Sequence, residues 1–226
     1  MCYSLLIYQQ PLEKLFDRWK QKPNHATDFI EDGIVNQTEW SKQKVKVLFF
    51  LKEAYGGPFD LAKALDNEGA DFGRSQIWSR VAVWTQAVYD STKPPCQYDE
   101  PQGTRADNLI RSVAVINIKK SHGQNESNDA DLMKFLVADK AELTEELDII
   151  NPDVILCGNT FHLLQAVNMF PNARKGKSDD YLWNGKLIIN YWHPSGRDLV
   201  SNNEVNYYAI REICRAAHDA FKITAW

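Results

Sequence analysis

Four short apolar runs constrain this chain more than any other feature: Val45–Leu51, Val113–Ile118, Val154–Cys157 and Leu187–Tyr191. Each is too short for a helix, rich in β-branched or aromatic residues, and followed by a polar or glycine-containing segment. That is the pattern of a strand buried on both faces. Helical periodicity fills the intervals, over residues 59–67, 75–90, 105–112, 129–150, 161–169 and 202–221. Strands alternating with helices specify a parallel sheet covered on both sides. The expectation is an α/β fold, a three-layer α/β/α sandwich around a central four-stranded parallel sheet. Ahead of the first strand, Ser4–Lys22 shows helical spacing interrupted by Pro11, and residues 24–44 are polar and irregular. Residues 1–44 therefore read as a helical extension packed on the core, and 45–226 as the α/β domain. Residues 171–180 read as a charged loop.

Composition bounds the function without choosing it. The chain has 226 residues and a formal net charge of −4. Its length can bury a full core without disulfide or metal staples. The sum of charges gives no support for a strongly basic nucleic-acid binder, although a cleft depends on local placement. No apolar run reaches the ~18 residues of a membrane span. The first ten residues lack the basic-then-apolar layout of a secretory leader. A cytoplasmic location and a monomer are expected. Cys2, Cys96, Cys157 and Cys214 are far apart, with no Cys-x-x-Cys pair, so four reduced thiols are expected.

In open parallel sheets, ligands bind beyond the carboxyl ends of the strands, so the segments after the four runs carry the chemistry. After the first run come Glu53, Tyr55, Gly56 and Gly57. A carboxylate there can orient water or face developing positive charge, or it is a solvated turn residue. Asn117 interrupts the second run; its amide offers both donor and acceptor to a base edge, or caps the next loop. Lys119, Lys120 and His122 follow, and suit phosphates or a solvated loop. The fourth run ends in His193-Pro194-Ser195-Gly196-Arg197. A neutral imidazole can donate to an oxygen gaining charge, and Arg197 can pair with phosphate. Ser195 is not in a Gly-x-Ser-x-Gly elbow, and Gly158-Asn159-Thr160 lacks the core of a P-loop.

Taken in order, these loops resemble the uracil-DNA glycosylase superfamily. Lys52-Glu53-Ala54-Tyr55-Gly56 stands where that family has its first motif, closest to the Gly-Glu-Ala-Pro-Gly form. Lys52 replaces the glycine and Tyr55 the proline. Asn117 stands at the end of the second strand, Val154–Gly158 at the third, and His193-Pro194-Ser195 at the last motif. The resemblance spans about residues 44–220. The iron–sulfur cysteines of the Glu-Ala branch are absent.

The resemblance implies a DNA glycosylase that extrudes an altered base, uracil or another, and hydrolyses its N-glycosidic bond. It implies DNA, single- or double-stranded, as the partner, and no metal or organic cofactor. It makes Glu53 and His193 the catalytic pair and Asn117 the base reader. Phe72 is the implied stacking aromatic, with Phe59 and Trp78 as rivals, and Tyr55 shapes the pocket. Ser195, Arg197 and Lys119 are implied to contact the DNA backbone or the gap left by the flipped base. Two other readings stay open: a catalytically silent base- or nucleic-acid-binding module, and a hydrolase of free nucleosides or nucleotides.

Overall fold

The computed structural model describes residues 6–25, 28–74, 76–124, 126–196 and 201–223. The chain runs α1 (Leu6–Trp19), β1 (Gly33–Ile34), α2 (Gln37–Lys42), β2 (Val47–Glu53) and α3 (Leu61–Glu68). After a 3-10 segment, Gly69–Arg74, come α4 (Gln76–Asp90), α5 (Thr104–Arg111) and β3 (Ala114–Lys119). Then follow α6 (Asp129–Ala138), α7 (Lys140–Ile150), β4 (Val154–Gly158), α8 (Phe161–Ala166), β5 (Arg174–Lys175), β6 (Asp180–Trp183), β7 (Lys186–Tyr191) and α9 (Asn203–Phe221).

The sheet has seven strands in the order β1-β3-β2-β4-β7-β6-β5. Its core, β3-β2-β4-β7, is parallel, with Phe50 opposite both Ile116 and Cys157. The four apolar runs are these four strands. The expected four-stranded sheet is enlarged at both edges by antiparallel strands: β1 against β3, and the β5–β6 hairpin against β7. Residues 24–44 and 171–180 are thus not wholly irregular. Their strands are two to four residues long, too short to show a period. The single helix expected over 129–150 is two, α6 and α7. They break at Asp139, which leaves helical geometry (φ −116°, ψ 11°) and whose fully buried carboxylate meets His25 and Lys22.

Strand alternation divides the core in two. Val47, Phe49 and Leu51 face α3, α4 and α9 through Leu65, Trp84 and Ile210; Leu48 and Phe50 face α1 and α6–α8 through Trp19, Leu136, Leu147 and Leu164. Full burial of each such side chain is worth about 1.5–3 kcal/mol. Helix starts are fixed by short polar caps: Asn36, Asp60, Asn128 and Asn202 each accept from a backbone N–H in the first turn. Cys157 and Cys214 are buried free thiols. Among the described residues, no helix is long and apolar enough to cross a membrane.

Beneath the sheet's edge lies a fully buried ionic cluster. The Lys120 ammonium pairs with the Asp32 carboxylate and, at 2.7 Å, with Glu146 Oε2 on α7. Phe16 and Trp19 of α1 present ring faces to the same ammonium, 5.9 and 5.2 Å away. Two carboxyls sharing one ammonium in an apolar setting cannot both ionise cheaply. Burial and the Asp32 charge hold Glu146 well above the ordinary glutamate range, so Glu146 is the protonated member. Glu146→Gln should therefore change unfolding free energy by less than about 1 kcal/mol. Asp32→Asn, which strands a buried ammonium, should cost about 3–5 kcal/mol. Because the folded-state pKa is raised, Glu146 makes wild type lose stability as pH rises above the glutamate range, and Glu146→Gln lacks that loss. Urea unfolding of both variants from pH 4 to 8 checks this. Equal cost for the two changes would contradict the assignment.

Candidate active site

A cavity of about 430 Å³ opens beyond the carboxyl ends of β2, β3 and β7. Glu53, Tyr55, Phe72, Asn117, His193 and Ser195 all line it. These six come from four separate stretches of chain, and the parallel register of β2, β3, β4 and β7 brings their ends together.

Asn117 is 2% exposed. Residues 115, 117 and 119 share a face of β3, so its side chain leaves the sheet toward the α4 layer. Its backbone N–H donates to Asp32 Oδ2 at 2.7 Å. Its side-chain Nδ2 is buried with no hydrogen-bond partner. A buried donor left unpaired costs about 1–3 kcal/mol, and this one lines the cavity.

Glu53 ends β2 opposite Lys119 of β3. Its side chain is 5% exposed, with Oε2 3.5 Å from Lys119 Nζ and Oε1 accepting weakly from the Gln124 N–H at 3.4 Å. Lys119 also pairs with Asp131 at 3.0 Å and lies over the Phe135 ring. Lys119 is thus turned inward. It is 7% exposed, folded down between two carboxylates, because its place in the strand register sets it beside Glu53. With all three groups ionised, the cluster keeps one net negative charge beside the cavity. Lys120 is likewise fully buried.

His193 Nδ1 accepts from the Ser195 N–H (3.2 Å) and lies 2.6 Å from Ser195 Oγ. An Nδ1 that accepts an amide proton carries none itself, so the neutral ring is protonated at Nε2. Burial, aided by the charge of Lys52, lowers the His193 pKa to about 4. Lys52 is itself turned to Asp129, at 3.1 Å. The loop bearing His193 is pinned from α4: Arg80, buried, donates to Pro194 O (2.6 Å) and Gly196 O (2.7 Å). It is seated from below at Gly158, where a Cβ would lie 2.7 Å from Leu51 Cδ2 and 3.3 Å from Pro194 Cδ.

Aromatic rings form one wall. Phe72 lies 6.1 Å from Phe59 and 6.4 Å from Trp78, centroid to centroid, and all three line the cavity. Tyr55 is 70% exposed at the mouth, its ring 5.3 Å from His122. The two mouth loops are clipped together by the Gly123 N–H, which donates to Ala54 O at 2.7 Å. A Cβ on Gly123 would strike that oxygen and Glu53 Cγ, both at 2.7 Å. Arg197 lies outside the described residues.

The residues missed by sequence reading are Arg80, Asp32, Gln124 and Ser127. Arg80 had a signal, a cation inside an otherwise apolar helix face. Asp32 had none, because the two-residue strand beside it is too short to show a period. Among the described residues, no group of three or more His, Cys, Asp or Glu is placed to hold a metal ion.

The lowered His193 pKa sets a pH dependence. Folded His193 stays neutral where an unfolded histidine protonates, so its contribution to stability is present above about pH 6.5 and lost as pH falls toward 4. Imidazole ¹⁵N shifts should show Nε2-protonated neutral His193 from pH 5.5 to 8 and a midpoint near 4. A midpoint near 6.5 would contradict the burial argument.

No protein-family model matches this chain, and a search of curated proteins finds no match to it.

Proposed function

We propose that the protein is a DNA glycosylase of the uracil-DNA glycosylase type, acting on a base turned out of the DNA into the 430 Å³ cavity. The observation that carries this reading is the orphaned Asn117 Nδ2, buried in a cavity whose other sides offer aromatic rings, a carboxylate and a neutral imidazole. An aromatic wall suits a planar base, and an unpaired amide donor suits a ring carbonyl. The volume falls within the roughly 300–1,000 Å³ typical of small-ligand pockets.

Each group then has a chemical task. The base lies against Phe72 and accepts from Asn117 Nδ2. As the C1′–N bond breaks, its electron pair goes to the base and the sugar becomes cation-like. The His193 Nε2–H donates to the base oxygen that gains charge, a role that needs a neutral ring. The Glu53 carboxylate faces the cationic sugar and takes a proton from the water whose oxygen bonds to C1′. Ser195 and Arg80 hold His193 in place. Lys119 fixes the Glu53 carboxylate from the side away from the reaction.

The test uses labelled single- and double-stranded DNA carrying uracil, hypoxanthine, xanthine or a thymine mismatch, with alkali to cut at abasic sites. Wild type should release at least one of these bases. Glu53→Gln should slow release by about 10²–10⁴-fold, and Asn117→Ala and His193→Ala should also slow it sharply. Release of a free nucleoside's base without action on DNA would instead support a nucleoside hydrolase. Binding without release would support a silent base-binding module. Release unaffected by Glu53→Gln would overturn the proposed mechanism.

A further inference from the structure

A second cleft, of about 740 Å³, lies on the same carboxyl edge of the sheet. It is bounded by the ends of β4 and β7, by the β5–β6 turn and by Ala209 and Ile213 of α9. Trp192 lines it and is 56% exposed. Trp192 immediately precedes His193 of the first cavity, so the two hollows adjoin along one stretch of chain. Across the cleft stand Lys175 and Lys177, both exposed. Their turn is rigid: Asp180 accepts from the Ser178 N–H through its buried side chain (2.7 Å) and from the Gly176 N–H through its carbonyl (2.8 Å). The Asn190 N–H, donating to Asp179 O at 2.8 Å, ties the turn to β7. Neighbouring Arg174 is engaged differently, over the Phe221 ring at 5.7 Å.

A tryptophan with half its surface in water gives up much of its burial energy. Paired with two ammonium groups on a fixed turn, it forms an aromatic face beside a cationic rim. Bases stack on such a face whatever their identity, while phosphates pair with the cations. The chain as a whole carries −4, and the two exposed lysines place positive charge on this rim. Asp179 is the one acidic side chain lining the cleft among the described residues.

We propose that this cleft is a track for single-stranded DNA, with a base stacked on Trp192 and the backbone phosphates held by Lys175 and Lys177. The proposal rests on the glycosylase reading for its orientation: the track holds the strand that flanks the nucleotide entering the first cavity. A duplex keeps its bases stacked on each other and leaves none free for Trp192, so the cleft favours unpaired DNA.

The test is fluorescence anisotropy with a labelled oligothymidylate that carries no altered base, beside its fully paired duplex. Wild type should bind the single strand more tightly than the duplex. Trp192→Ala should weaken single-strand binding by at least about fivefold, the low end for loss of one stacked base. Lys175→Gln with Lys177→Gln should flatten the dependence of log K on log salt by about 0.7 for each lysine removed. All three side chains are exposed, so the variants should unfold at wild-type temperature, which circular dichroism checks. Failure of wild type to bind the single strand at low salt overturns the proposal, as does binding that neither variant alters, or equal binding of duplex. Because the probe contains no substrate base, the result is independent of catalysis. Binding that depends on Trp192 in a protein that excises nothing upholds the track and removes the glycosylase reading. Excision with unaltered Trp192→Ala binding does the reverse.

Discussion

The rest of the site is organised by one carboxylate, Asp32. It is 4% exposed and serves two partners: the Lys120 ammonium and the Asn117 backbone N–H. Moving three ionisable groups out of water is unfavourable, and only close mutual pairing offsets it. The cluster approaches that condition because burial and the Asp32 charge raise the Glu146 pKa and so favour its neutral form. Its geometric consequence is larger than its energy. Asp32 sits where β1 begins, Lys120 where β3 ends and Glu146 in the middle of α7, with Phe16 and Trp19 of α1 closing over the ammonium. The end of β3, and with it the direction of the Asn117 side chain, is thereby fixed from below.

Above that foundation, the site is built by bringing loops together. Glu53 and Asn117 are set by register, since neighbouring parallel strands end side by side. His193 is set by three constraints acting on one loop: Arg80 on two carbonyls, the Ser195 amide on Nδ1, and the absence of a side chain at Gly158. Each constraint removes a freedom the imidazole would otherwise have. The result is a ring presented in one tautomer with its proton at Nε2. Preorganisation of this kind lets a hydrogen bond strengthen as charge appears without rearrangement of the protein.

Much of this was legible in the sequence because a strand buried on both faces must be apolar throughout. The four runs that form β2, β3, β4 and β7 could be found by that rule alone, and the residues just beyond them had to meet at one edge. Six named residues, Glu53, Tyr55, Phe72, Asn117, His193 and Ser195, do line one cavity. What was hidden followed from the same physics. Strands β1, β5 and β6 are two to four residues long, too short to show a period. The break falls at Asp139, whose buried carboxylate meets Lys22 and His25, more than a hundred residues away in sequence. Lys119 and Lys120 looked like solvent-facing cations, since the acids that draw them inward sit at positions 32, 53, 131 and 146. A buried lysine cannot be distinguished from an exposed one by its neighbours in the chain.

Asn117, His193 and the Phe72 wall are proposed to form one site for a planar base. Titration of the ¹⁵N-labelled protein with free uracil, hypoxanthine and xanthine tests it most directly. At least one base should shift the Asn117 side-chain amide and the His193 Nε2 resonances together, with the same saturation curve. Shifts confined to other surfaces, or an Asn117 amide silent to every base, would contradict it.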